Sequence, residues 1–358
     1  MFFSSDWSVF SIVSTEKLQL KNFSLAEMES WMVDQGEKPF RARQLFQWIW
    51  DKGIQTFPEA ANLSKTFIET LDQTCTLEIS EVSQVQTSNT QGTSKFLIRL
   101  TDGQFVETVL IPEERRLTVC LSSQVGCALD CDFCATGKMG LKRNLTSGEI
   151  CDQLLHVRRF ADRPITNIVF MGMGEPFHNY DEVMKAAAII NHETGFGIGA
   201  RKITISTSGL VPQIRRFADE GHRYKLAVSL NSSDDLTRNR VMPINKKWNI
   251  ETLIDACKYY VELSRNMFTF EYVLMEGVND DLEDAHRLKT IANQVFCKVN
   301  LIPYNEVVGE YKRPSNNRIH RFLEEMADAG FPVTVRWSQG DDIDAACGQL
   351  STAARENE

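Results

Sequence analysis

A chain of 358 residues, 42% hydrophobic and 24% charged, has room for one large domain with a smaller companion and the composition of an ordinary soluble protein. Its net charge of −9 excludes a broadly basic nucleic-acid binder while leaving local basic patches open, and no apolar run approaches membrane-spanning length. Nine cysteines in a chain of this size suit a reducing compartment better than a disulfide scaffold.

In chain order, residues 1–20 carry acid early and no basic start, so they make a poor signal peptide and read as a flexible tail; a cytoplasmic protein is expected. Ser24-x-x-Glu27 opens a helix, and the stretch KPFRARQLFQWIW (38–50) interleaves basic and aromatic residues. That pattern suits folded or looped RNA, and it equally suits a plain amphipathic core stripe. From residue 117 one unit repeats: a short β-branched run, a polar loop, a helix-length segment. The runs are 117–121, 167–171, 202–206, 225–230, 268–274, 298–302 and 333–337; helical patterns cover 147–160, 181–191, 212–220, 251–264, 282–294 and 315–329. Thr146-x-x-Glu149 and Asn179-x-x-Glu182 read as capping boxes. Such alternation predicts an α/β fold with a parallel sheet, a complete or partial barrel.

Cys127, Cys131 and Cys134 fall in the loop after the first run. Three thiolates can hold a four-iron, four-sulfur cluster and leave one iron open, whereas structural zinc needs four ligands and an electron-transfer cluster normally uses four cysteines. Zinc completed by Cys120 or a distant His is the competing reading. Later runs end in Gly172-Met-Gly-Glu-Pro176, Ser206-Thr-Ser-Gly209, Ser229-Leu-Asn231 and Pro303-Tyr-Asn305, so polar residues collect at the carboxyl ends of the strands, where barrels place their sites. Each taken alone is equally well a turn or a backbone cap. The segment 195–200 (GFGIGA) mimics a dinucleotide fingerprint, but it follows a helix and precedes a strand, the wrong context. Cys347 follows the last run and Cys120 lies within the first; two such thiols permit a covalent intermediate released by disulfide exchange, or are simply structural. Cys75, Cys151, Cys257 and Cys297 sit in apolar or helical surroundings and read as inert buried thiols.

The stretches CLSSQVGCALDCDFCATGKMGLKRNLTSGEI, NIVFMGMGEPFHNYDEV, TISTSGLVPQI, VMPINKKWNIETL, EYVLMEGVNDDLEDAH, KVNLIPYN and GDDIDAACGQL resemble the RlmN family of dual-specificity radical S-adenosylmethionine (SAM) RNA methyltransferases, close kin of Cfr, over residues 24–350. Pro176 in GMGEP is similar to the RlmN branch rather than to Cfr. The resemblance implies a partial (β/α)6 TIM-like radical SAM barrel over 117–350 ending in a methyl-carrier cysteine loop, a helical RNA-binding domain over 21–75, a β linker over 76–116 and a tail over 351–358. It implies a [4Fe-4S] cluster on Cys127, Cys131 and Cys134, SAM contacts at Gly174, Glu175, Ser206, Ser229, Leu230, Asn231 and Asn305, and a use of two SAM per turnover. Cys347 then corresponds to the S-methylated cysteine, Cys120 to its resolving partner and Glu107 to the acid/base carboxylate, whose plain reading is a surface charge on a hairpin. The implied reaction is methylation of adenine C2 in large-subunit ribosomal RNA and in tRNA next to the anticodon. It further implies a monomer fed by an electron donor such as flavodoxin. Cfr-like C8 methylation and a zinc-stabilised, non-enzymatic RNA-binding protein are the alternatives. Lys138, Lys142, Arg143, Arg201 and Lys202 are candidates for phosphate contact. Asn231 departs from the pattern of the family, many of whose members have His there.

Overall fold

The computed structural model describes residues 17–307 and 310–352, so the first sixteen residues of the expected tail lie outside the described residues. Strand β1 (Leu18–Gln19) is followed by helices α1 (Leu25–Asp34), α2 (Phe40–Gln47) and α3 (Lys65–Thr74), and β2 (Cys75–Thr76) returns to pair in parallel with β1. Ser24 and Glu27 form the expected reciprocal cap of α1. In the basic and aromatic stretch, Leu45, Phe46, Ile49 and Trp50 are buried, which is the core-stripe pattern, while Lys38, Phe40 and Arg43 face solvent.

Strands β3 (Ser80–Thr87), β4 (Ser94–Leu100) and β5 (Phe105–Pro112) form an antiparallel meander, and β5 pairs antiparallel with β6 (Leu117–Cys120). After β6 come β7 (Gln124–Gly126), α4 (Ala135–Lys138) and β8 (Leu141–Asn144); β7 and β8 pair apart from the main sheet and bracket the cysteine triplet. The alternating units follow: α5 (Ser147–Phe160), β9 (Asn167–Phe170), α6 (Tyr180–Asn191), β10 (Ile203–Thr207), α7 (Val211–Asp219) and β11 (Lys225–Ser229). Then come α8 (Asp235–Val241), α9 (Ile250–Ser264), β12 (Phe268–Leu274), α10 (Leu282–Ala292), β13 (Cys297–Pro303), α11 (Asn316–Glu325) and β14 (Val333–Val335).

One ten-stranded sheet results, in the order β14-β13-β12-β11-β10-β9-β6-β5-β4-β3, parallel from β14 to β6. Its parallel part is a partial barrel buried on both faces, with Phe170, Phe268, Phe270 and Tyr272 fully enclosed. Strands β14 and β3 are the two ends, so the sheet stays open there. The segment after β14 spans this gap: Gly340 N donates to Gln91 Oε1 at 2.7 Å, Lys95 Nζ to the Asp344 carbonyl at 3.3 Å, and Ser351 N to Glu107 Oε2 at 2.9 Å.

The cap at Thr146–Glu149 forms as expected, but the one expected at Asn179–Glu182 does not. Asn179 Nδ2 instead donates to the carbonyls of Ser123 and Leu145 at 2.9 and 2.8 Å, and Glu182 Oε2 accepts from Ser147 N at 2.6 Å. Both side chains thus hold α6 to the segments flanking the cysteine loop, and a tertiary bond outcompetes the local one.

Candidate active site

Gly126 ends β7 with φ 73°, and a Cβ at that position would lie 1.8 Å from the Gly140 carbonyl oxygen. Only glycine therefore lets Cys127 N donate to the same oxygen at 3.0 Å, which fixes the start of the cysteine loop. Further along, Cys134 N donates to Cys131 O at 3.1 Å, Asp132 N to Val241 O at 3.0 Å and Ala135 N to Gly348 O at 2.8 Å, so the loop is tied both to α8 and to the C-terminal segment. Cys127, Cys131 and Cys134 all line one cavity at the carboxyl ends of the parallel strands. Burial pushes the thiols of Cys127 and Cys131 up, Cys127 to about 12, and the charges of the other thiols of the triplet push the same way. Thiolates here need a compensating positive charge, which a bound iron–sulfur cluster would supply. Among the described residues no group of three or more His, Cys, Asp and Glu side chains converges on a single ion. Three thiols around a shared cavity, without a fourth ligand in the loop, fit a polynuclear cluster with one open iron rather than tetrahedral zinc.

The same cavity is lined by Gly174, Glu175, Ser206, Ser229 and Asn231. Gly174 has φ 96°, and a Cβ there would sit 2.5 Å from Gln124 Cβ, so this turn also requires glycine. Glu175 is buried and its carboxylate is already an organiser: Oε1 accepts from Phe177 N at 2.9 Å and Oε2 from Ser208 N at 2.7 Å. Asn231 takes φ 55°, its Oδ1 accepts from Val273 N at 2.9 Å, and it thereby locks the end of β11 to β12. Leu230 is fully buried and, like Asn305, does not line the cavity; Asn305 Nδ2 donates to the Cys347 carbonyl at 3.0 Å.

Cys347 lines two cavities, the one just described and a second that also contains Cys120. Met171, Ile302 and Arg336 line both as well, so they form the partition. Burial pushes the Cys120 thiol to about 12, and the charge of Cys347 adds to it. Glu107 lines neither cavity. It is 5% exposed rather than a surface charge, pairs with Lys95 at 3.1 Å and accepts from Ser351 N, which puts it directly behind the Cys347 loop. Burial pushes its carboxyl up against the pull of Lys95.

Several organising residues carry no signal in the sequence. Arg238 on α8 is 1% exposed, and its guanidinium donates to the carbonyls of Leu230 (2.9 Å), Ser208 (2.9 Å) and Ser229 (3.1 Å) and to Asn245 Oδ1 (2.8 Å), stitching together the loops after β10 and β11. Lys95, Glu271 and Arg336 are equally silent, because their partners are distant in sequence. Among the candidate phosphate contacts, Lys138 pairs with Asp132 and Arg143 with Glu149 and Asp102. Arg201 and Lys202 are exposed but precede β10, at the opposite end of the strand from the site. The remaining cysteines, Cys75, Cys151, Cys257 and Cys297, are buried as expected.

A partial barrel whose strand ends surround a three-cysteine loop defines a radical SAM enzyme, and residues 121–288 match the Radical SAM superfamily. Residues 18–77 match the ribosomal RNA large subunit methyltransferase N-terminal domain. The chain is 43% identical over 355 residues to a probable dual-specificity RNA methyltransferase RlmN of Bacillus velezensis, covering 98% of each chain, and 45% identical to the RlmN of Geotalea uraniireducens, covering 94% of this chain and 97% of that one. The crystal structure of a radical SAM methyltransferase from Sphaerobacter thermophilus superposes with a TM-score of 0.89 at 44% identity, covering 93% of this chain and 99% of that one. The chain belongs to the RlmN family, whose members use a [4Fe-4S] cluster and two SAM.

Proposed function

We propose that this enzyme methylates C2 of adenine in large-subunit ribosomal RNA and in tRNA beside the anticodon, with Cys347 as the methyl carrier. The observation that carries the reading is that Cys347 borders both the cavity of the cluster cysteines and the cavity of Cys120. Adenine C2 is an electron-poor carbon without a nucleophilic lone pair, so displacement on the SAM sulfonium is not open to it. The Cys347 sulfur has such a pair and takes the methyl group first. When bound, the cluster and a second SAM supply the one-electron chemistry that removes a hydrogen atom from that methyl group. The chain's own residues do the rest. Cys347 holds the carbon as it bonds to C2, and Glu107, whose buried carboxyl is a stronger base than an ordinary one, accepts the C2 proton. Cys120 gives up its proton and attacks the Cys347 sulfur; the sulfur–carbon bond breaks, the freed carbon takes up a proton to become the C2 methyl group, the one electron left over from the radical addition would return to the bound cluster, and a Cys120–Cys347 disulfide remains, which an external reductant reopens. Exposed Lys38, Phe40 and Arg43 on the N-terminal unit are the proposed RNA contacts, and an external electron donor is the proposed partner. Incubation of the reconstituted protein with methyl-labelled SAM, reductant and either RNA, followed by nucleoside mass spectrometry, tests this: 2-methyladenosine is expected, 8-methyladenosine would assign the Cfr-like reaction, and an unlabelled RNA would contradict both.

A further inference from the structure

Glu271 stands out as an acceptor without a donor. On β12 it is 6% exposed and lines the SAM-side cavity, yet its Oε2 has no hydrogen-bond partner. Its other oxygen is held fast. Glu271 sits opposite Asn300 on β13, which in turn sits opposite Thr334 on β14; the Thr334 hydroxyl donates to Asn300 Oδ1, and Asn300 Nδ2 donates to Glu271 Oε1 at 3.1 Å. This row of bonds across three strands fixes the carboxyl group and leaves Oε2 bare. A buried acceptor left unpaired is costly, so a fixed one points to a donor that arrives from outside.

We propose that Glu271 Oε2 accepts a hydrogen bond from a ribose hydroxyl of the SAM nucleoside, an inference that rests on the function proposed above. Ser229, a proposed SAM contact, is the register partner of Glu271 on β11, so the two side chains lie side by side on the inner wall. Carboxylates recognise ribose hydroxyls in this manner in other nucleotide sites. Burial raises the Glu271 carboxyl, a rise only partly offset by the charge of Arg336, which lines the same cavity. A second cation beside it would be repelled, which favours a neutral hydroxyl over the ammonium group of SAM. An RNA ribose carries anionic phosphodiesters, which a buried carboxylate repels, and this favours the SAM nucleoside over the target strand.

The test is calorimetric titration of the reconstituted holoenzyme with S-adenosylhomocysteine and its 2′-deoxy and 3′-deoxy analogues, in wild type, Glu271→Ala and the volume-preserving Glu271→Gln. Wild type is expected to bind one deoxy analogue about tenfold or more weaker than the parent, while Glu271→Ala binds the parent about ten- to hundredfold weaker and no longer distinguishes that analogue. Equal wild-type affinity for all three ligands overturns the proposal without reference to any variant. So does a Glu271→Ala protein that keeps the wild-type discrimination. Unchanged nucleoside affinity with lost RNA methylation would give Glu271 to the target base or a bound water, and likewise overturns it. Failure of the functional reading would appear as wild-type protein that leaves adenine unmethylated, which these titrations do not involve.

Discussion

Lys95 and Glu107, side by side on β4 and β5, grip the Cys347 loop at both ends: the lysine through the Asp344 carbonyl, the glutamate through Ser351 N. Removing the cation leaves Glu107 charged, buried and unpaired. Lys95→Met should therefore destabilise the protein by about 3–5 kcal/mol in denaturant titration and slow transfer to RNA, with Lys95→Arg restoring most of both. A second buried network joins the N-terminal unit to the barrel, where Lys21 Nζ meets Asp152 Oδ1 at 2.5 Å and His156 and Ser80 meet its other oxygen. Burial alone would raise the Asp152 carboxyl, but the His156 hydrogen bond and the Lys21 charge outweigh it and hold the group at about 2, below its ordinary 3.8. A depressed carboxyl stabilises the fold above its unfolded value and loses that contribution as pH falls from about 4 to about 2, roughly 2 kcal/mol in all. Asp152→Asn should remove this part of the acid limb in a pH series of denaturant unfolding curves; a slope equal to wild type would contradict it. The cysteine triplet is legible at this scale because spacing within one loop carries the information. Lys95, Arg238 and Glu271 are not, since their roles arise from strands and helices that only the fold brings together.

The parallel strands and most of their helices follow the β-branched runs and 3.6-residue patterns closely. β12 spans Phe268–Leu274 and α5 Ser147–Phe160, the ranges those patterns give. Helix α8 was hidden, because DLTRNRV has no apolar stripe to mark it; it forms under an Asp234 cap and is kept by the four bonds of Arg238. The short β7–β8 pair was hidden for a similar reason, having too few residues to show a period. Its turn into the cysteine loop depends on Gly126. Gly126→Ala places a methyl group on the Gly140 carbonyl at positive φ, and should cost well over 1 kcal/mol and lower the iron retained after reconstitution, read by iron analysis against wild type.

Across the whole molecule, the gap between β14 and β3 is what gives Cys347 its place. The open sheet leaves a side entrance to the barrel interior, and the loop 340–351 closes it while keeping Cys347 between two cavities. Neither the gap nor the crossing is legible in the chain, because both depend on how many strands pair and in what register. What was legible is that the polar strand ends share one face, which the repeated unit implies. Transfer through sulfur is the claim on which the account turns. It is tested most directly by following a labelled methyl group from SAM, first into the Cys347 peptide without RNA and then into adenine once RNA and reductant are added. We predict label on Cys347, its passage to adenine C2, and no labelled adenine from Cys347→Ala protein with a full complement of iron. Labelled adenine from that variant at the wild-type level would contradict the account.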